Sequence, residues 1–182
     1  MSQLEEAIIE GVSEAAKKYD EMSGGWWLSH APESFLQMEI ATKIYETGFN
    51  LFVDASYNKI LDDIGRIRGR PANGGSKRPD ICVFSKASRT IKALIEVKRA
   101  SNLFSVNLDK SKLSSLMRLK TGPKYCYVVA YSEANGNSYK KTLEERFLAW
   151  EDKEWYCCHS YIDERQDDDG YGWGYCVLKL GK

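Results

Sequence analysis

Two stretches decide the fold: Arg78-Pro79-Asp80-Ile81-Cys82-Val83-Phe84 and, after a short polar interval, Ile91-Lys92-Ala93-Leu94-Ile95-Glu96-Val97-Lys98. Both are apolar runs of strand length, and both carry charges that a buried strand does not need. Asp80 opens the first run, and Glu96 and Lys98 close the second. Side chains alternate along a strand, so Glu96 and Lys98 share one side while Ile95 and Val97 share the other. A hairpin built from the two runs brings Asp80 to the end occupied by Glu96 and Lys98. Two carboxylates and an ammonium then converge, a set suited to a divalent cation and a water to be activated.

Working outward, residues 4–19 show helical spacing through Leu4, Ala7, Ile8, Val12, Ala15, Ala16 and Tyr19, ending near Ser23-Gly24-Gly25. A second helix is expected over Pro32–Thr47, with Pro32 in the first turn and Gly48 just past the end. Phe49–Asp54 reads as a strand, and Gly65–Lys77 as a Gly- and Arg-rich loop leading into Asp80. Beyond the hairpin the expectation is a basic amphipathic helix over Leu108–Leu119 and a buried strand over Lys124–Ser132. A helix over Thr142–Trp150 and strands at 155–162 and 174–180 follow. The order α-α-β-β-β-α-β-α-β-β specifies an α/β domain, a mixed central sheet flanked by helices. The 182 residues form one domain by length, with a core of about 32–132 and a C-terminal elaboration over 133–182.

The composition, 43% hydrophobic and 29% charged, is that of a globular chain. No apolar run approaches the ~20 residues of a membrane span, and the polar Met1–Glu6 stretch does not resemble a signal peptide, so a cytoplasmic protein with no membrane partner is expected. Five cysteines without a C-x-x-C pair argue for buried free thiols over a disulfide framework, zinc site or iron–sulfur cluster. The two histidines, His30 and His159, have no nucleophile motif around them, which argues against histidine-dependent hydrolysis. Net charge is zero, yet residues 64–124 hold fifteen Lys or Arg against three acids, Asp80, Glu96 and Asp109. Local field, not net charge, governs polyanion binding, so this basic third points to a nucleic acid.

Pro79-Asp80, fifteen residues, then Glu96-Val97-Lys98 resembles the signature of the PD-(D/E)xK nuclease superfamily, and the order from Pro32 to Ser132 resembles its restriction-endonuclease-like αβββαβ core. The resemblance implies a Mg²⁺-dependent DNA phosphodiesterase, endonuclease rather than exonuclease, with Mn²⁺ able to substitute. Asp80 and Glu96 are then the metal ligands with the Val97 backbone carbonyl, and Lys98 orients or deprotonates the attacking water. A catalytically silent nuclease-fold binding module (an immunity or assembly protein) and a nuclease acting on RNA are the alternatives. Small nucleases of this fold pair two sites to cut two strands, which implies a homodimer or a larger nucleic-acid-processing complex.

Such families often add a glutamate from the preceding helix. At about 100° per residue Glu33 falls on the apolar face defined by Leu36, Ile40, Ala41 and Ile44, with Gln37 beside it, either as a polar neighbour of the metal site, as the resemblance implies, or as a partner of Glu33. Glu39 falls on the opposite face with Lys43 and Glu46, as a surface residue. Glu33 is therefore the expected fourth catalytic residue beside Asp80, Glu96 and Lys98. Arg66, Arg68, Arg70, Lys77 and Arg78 are the expected nucleic-acid contacts, while Lys110, Lys112, Arg118 and Lys120 read as a solvated face.

Overall fold

A hairpin organises the molecule: β2 (Ile81–Ser85) pairs antiparallel with β3 (Thr90–Arg99), from Ser85 opposite Thr90 to Ile81 opposite Ile95. The computed structural model describes residues 1–63, 77–85, 87–88, 90–167 and 169–181. The register shifts at Val83/Phe84, where Val83 faces Ala93 but Phe84 faces Ile91, so Lys92 is the extra residue of a bulge. The bulge inverts the side-chain alternation, which is why Ile91 and Leu94 enter the same core although three residues apart.

β1 (Asn50–Val53) lies antiparallel outside β2, and β4 (Tyr125–Asn135) lies parallel to β3, joined to it through α4 (Leu103–Met117). β6 (Tyr171–Leu180) and β5 (Trp155–Ile162) complete a six-stranded mixed sheet in the order β1-β2-β3-β4-β6-β5. One face, with Ile81, Val83, Ile95, Val97, Val129, Tyr131 and Val177, packs against α1 (Gln3–Ser23) and α2 (Glu33–Glu46). The other, with Cys82, Leu94, Val128, Ala130, Cys176 and Leu178, packs against α3 (Tyr57–Asp63), α4 and α5 (Tyr139–Ala149). This is the three-layer α/β arrangement that the element order predicts.

Three departures from the sequence reading have physical causes. The short helix α3 has no predicted counterpart; only seven residues long, it presents Tyr57, Ile60 and Leu61 to the core, too brief a stretch to show a helical period. α4 begins at Leu103, five residues before the expected start, because Asn102 caps it by accepting the Ser105 N–H at 3.2 Å. A 3₁₀ turn at Leu28–His30 precedes α2, whose N-cap position is Pro32 itself.

α1 seats α2 by close approach. A Cβ on Gly11 would stand 2.6 Å from the Cα of Ile40, so only glycine lets the two backbones meet. The five cysteines are all free, with Cys82, Cys126 and Cys176 buried, as composition suggests. No described helix is long and apolar enough to cross a membrane.

Candidate active site

The hairpin, α2 and α4 converge where β3 ends. Asp80 sits just before β2, and its Oδ2 accepts the Val97 N–H at 2.7 Å, which fixes the carboxylate against β3. Its main-chain carbonyl accepts Gln37 Nε2 from α2 at 2.8 Å and the Asp54 N–H at 2.9 Å. Gln37 thus serves the backbone of Asp80, the first of its two expected roles. Glu96 follows one residue before Val97 on β3 and is only 2% exposed. Its Oε1 is buried without a hydrogen-bond partner, and its Oε2 contacts Lys112 Nζ at 2.5 Å.

Glu33 arrives from the opposite layer, at the first turn of α2. Its Oε1 lies 3.0 Å from Lys98 Nζ and accepts the Arg99 N–H at 2.9 Å. The two motif residues expected on one side of β3 therefore have different partners: Glu96 faces α4, and Lys98 turns over the strand end to α2. Glu33, the expected fourth catalytic residue, pairs with Lys98 and the Arg99 N–H. Among the described residues no group of three or more His, Cys, Asp or Glu side chains is arranged as a metal cage.

Sequence reasoning missed two members of this cluster. Asp109 and Lys112 project from α4, 3.8 Å apart, and Lys112 Nζ also donates to the Arg78 carbonyl at 3.2 Å. Of the solvated basic face expected on this helix, Arg118 and Lys120 are exposed, but Lys110 and Lys112 are drawn inward. Lys110 is 4% exposed and donates to the Trp150 carbonyl at 2.9 Å and to Asp152. A signal existed: Val106, Leu113 and Leu116 mark the buried stripe of α4, and Asp109 and Lys110 fall between them at helical spacing. Charge on a buried stripe needs a partner, the same criterion that singled out Glu33 on α2.

Electrostatics give the cluster its character. Burial pushes Asp80 above the ordinary aspartate range, and the neighbouring Asp109 and Glu33 add to this, against the Val97 N–H and Lys112. Burial and then Asp80 push Glu96 up to about 8, with Lys112 opposing. Burial also raises Asp109, against the pull of Lys112 and Lys98. At Lys98, burial works against the ammonium, but Glu33, helped by Asp109 and Asp80, outweighs it and holds the group above the ordinary lysine range. Four carboxyl groups, Glu33, Asp80, Glu96 and Asp109, thus share the ammonium groups of Lys98 and Lys112.

This chemistry fits a hard divalent cation. The available donors are carboxylate oxygens, one of them buried and unpaired, and Mg²⁺ is held through one or two carboxylates while it keeps several waters. Asp80 and Glu96 are the residues that could hold one. Val97 contributes its N–H to the positioning of Asp80.

Of the expected nucleic-acid contacts, Arg66, Arg68 and Arg70 lie outside the described residues. Lys77 Nζ is 2.5 Å from Ser115 Oγ, and Arg78 pairs with Asp54 at 3.2 Å while keeping a largely exposed side chain. Glu39, expected at the surface with Lys43, instead bridges to Lys18 of α1 at 2.7 Å. The aromatic residues resolve into core and rim: Trp27, Trp173 and Tyr175 are buried, Trp26 is exposed. His30 approaches Glu133 at 3.9 Å, and His159 meets the Tyr175 hydroxyl at 3.2 Å. Compared with known proteins, the chain matches no family model, no curated protein and no solved structure.

Proposed function

We propose that the chain is a Mg²⁺-dependent DNA phosphodiesterase with a restriction-endonuclease-like core, cutting internally rather than from ends. The observation that carries this reading is Glu96 Oε1, a buried carboxyl oxygen with no hydrogen-bond partner, in a cluster of acids with Asp80 and Asp109. A buried carboxyl oxygen without a partner is costly, and a cation would resolve that cost. A bound Mg²⁺ supplies Lewis-acid polarisation of the scissile phosphate and lowers the pKa of its water.

The chain's own residues do the rest. Asp80, held by Val97 and Gln37, and Glu96, held by Lys112, present oxygens to the cation. Lys98, kept as an ammonium by Glu33, offsets charge on the phosphoryl group and orients the incoming water. Arg66, Arg68, Arg70, Lys77 and Arg78 precede Asp80 in the chain and would bring the DNA backbone to the site.

A second reading has an observation in its favour: Lys112 already pairs with Glu96, so the cluster is partly neutralised without a metal. A catalytically silent binding module would need no more than that. Incubating the protein with plasmid, linear DNA and RNA in Mg²⁺ or Mn²⁺ separates the cases. Metal-dependent DNA cleavage that Asp80→Asn abolishes supports the proposal, and cleavage of RNA alone reassigns the substrate. Intact DNA and RNA together with no metal binding would leave the silent module.

A further inference from the structure

The residues leading into Asp80 are held by the Tyr57 N–H on the Lys77 carbonyl at 2.9 Å, by Asp54, and by α4. Lys112 Nζ donates to the Arg78 carbonyl at 3.2 Å, two residues before Asp80. One turn further along α4, Ser115 Oγ lies 2.5 Å from Lys77 Nζ and itself donates to the Lys112 carbonyl at 2.7 Å. The same Lys112 ammonium reaches Glu96 Oε2 at 2.5 Å, and Asp109 Oδ1 stands 3.8 Å away on the preceding turn. One cation thus joins β3, the segment before β2 and the face of α4. From its position we infer that Lys112 is a positioning residue of the metal site, setting the spacing of Asp80 and Glu96 and leaving Glu96 Oε1 free to bind. The inference rests on the metal-dependent reading above.

Two features make Lys112 more than a passing ion pair. It is three-quarters buried, and its partner Glu96 is almost wholly so, which removes the solvent screening that makes surface pairs weak. It also occupies one oxygen of Glu96 and not the other, so the carboxylate has a fixed direction with one lone face. Groups that orient a ligand in this way commonly contribute about 10- to 100-fold in metal affinity. Lys98 cannot substitute, because its ammonium is committed to Glu33.

The test is Mn²⁺ binding to the full chain by electron paramagnetic resonance, for wild type, Lys112→Met, Lys112→Gln, Lys112→Arg and Asp80→Asn, with melting temperatures recorded without metal. The expected result is an affinity lower by about 10- to 100-fold in Lys112→Met and Lys112→Gln and recovered to within about threefold in Lys112→Arg. Ser115→Ala, which leaves the Lys112 ammonium but removes both the Lys77 contact and the bond to the Lys112 carbonyl, keeps the site testable if Lys112→Met fails to fold; a few-fold weaker Mn²⁺ binding is expected. Wild-type affinity in the folded Lys112→Gln and Ser115→Ala variants overturns the role of Lys112 while leaving the nuclease reading intact. A wild-type protein that binds no Mn²⁺ overturns both.

Discussion

At the residue scale, the site is a set of charges whose partners fix their roles. Lys98 is the clearest case: Glu33 lies 3.0 Å from its ammonium and receives the next backbone N–H as well. Glu33→Gln removes that support while keeping the shape. DNA cleavage is expected to fall about 10- to 100-fold, as for loss of a group that assists proton transfer. The melting temperature should barely move, because the Glu33–Lys98 pair is partly exposed and such pairs are worth ~0–1 kcal/mol. Rates and melting curves on the same preparations check both halves. Far from the site, Glu5 ties α1 to the sheet by accepting from Lys179 at 2.6 Å and from the Tyr127 hydroxyl at 3.2 Å. Burial opposes its charge, but Lys179, the Ser2 N–H and Tyr127 prevail and hold it down to about 2. Its folded pKa is depressed, so its contribution is complete above the ordinary glutamate range and is lost as pH falls toward 2. Denaturant unfolding should show wild type ahead of Glu5→Gln by about 1 kcal/mol at pH 7, allowing for solvent screening, with the gap narrowing below the ordinary glutamate range and closing only as pH approaches 2.

At the element scale, what was legible depended on whether a residue's neighbours were set by its own strand or helix. Alternation in β3 was enough to separate Glu96 and Lys98 from Ile95 and Val97, and helical period was enough to turn Glu33 toward the sheet. The hairpin partner of Asp80 followed from the shortness of the connection. The partners contributed by α4 did not follow, because Asp109 and Lys112 reach the site only through the parallel β3-α4-β4 crossover, which places the helix over Glu96. Counting Lys112 with other lysines of its helix hid it, whereas asking which charges share the Val106–Leu113–Leu116 stripe would have exposed its neighbours. Likewise Glu39 pairs with a residue of another helix, which periodicity within α2 cannot reveal. The seat of α2 gives a prediction of its own. Gly11→Ala gains about 1 kcal/mol of helix propensity but puts a methyl 2.6 Å from the Ile40 Cα, so α1 and α2 must separate. The expected net effect is a loss of about 1–3 kcal/mol in unfolding free energy. A secondary fall in cleavage rate should accompany it, as Glu33 shifts away from Lys98.

At the scale of the whole molecule, much of the basic middle third is engaged within the protein. Lys77, Arg78, Lys98, Arg99, Lys110, Lys112 and Arg118 are engaged by protein groups, so much of the positive charge assembles the site and its supports. The arginines before Asp80 then carry the proposed contact with the DNA backbone. In the Asp80→Asn background, replacing Arg66, Arg68 and Arg70 together by alanine is expected to weaken DNA binding and to reduce the log–log salt slope by about 2–3, with no change in melting temperature. An unchanged slope would move the DNA path elsewhere. The central claim concerns the pair Asp80 and Glu96, and the rate of supercoiled-plasmid cleavage against Mg²⁺ concentration tests it most directly. The account predicts a saturable rise for wild type, abolished by chelator and at least about 100-fold lower for Asp80→Asn, whereas plasmid cutting that is independent of Mg²⁺, or equal in the two proteins, would contradict it.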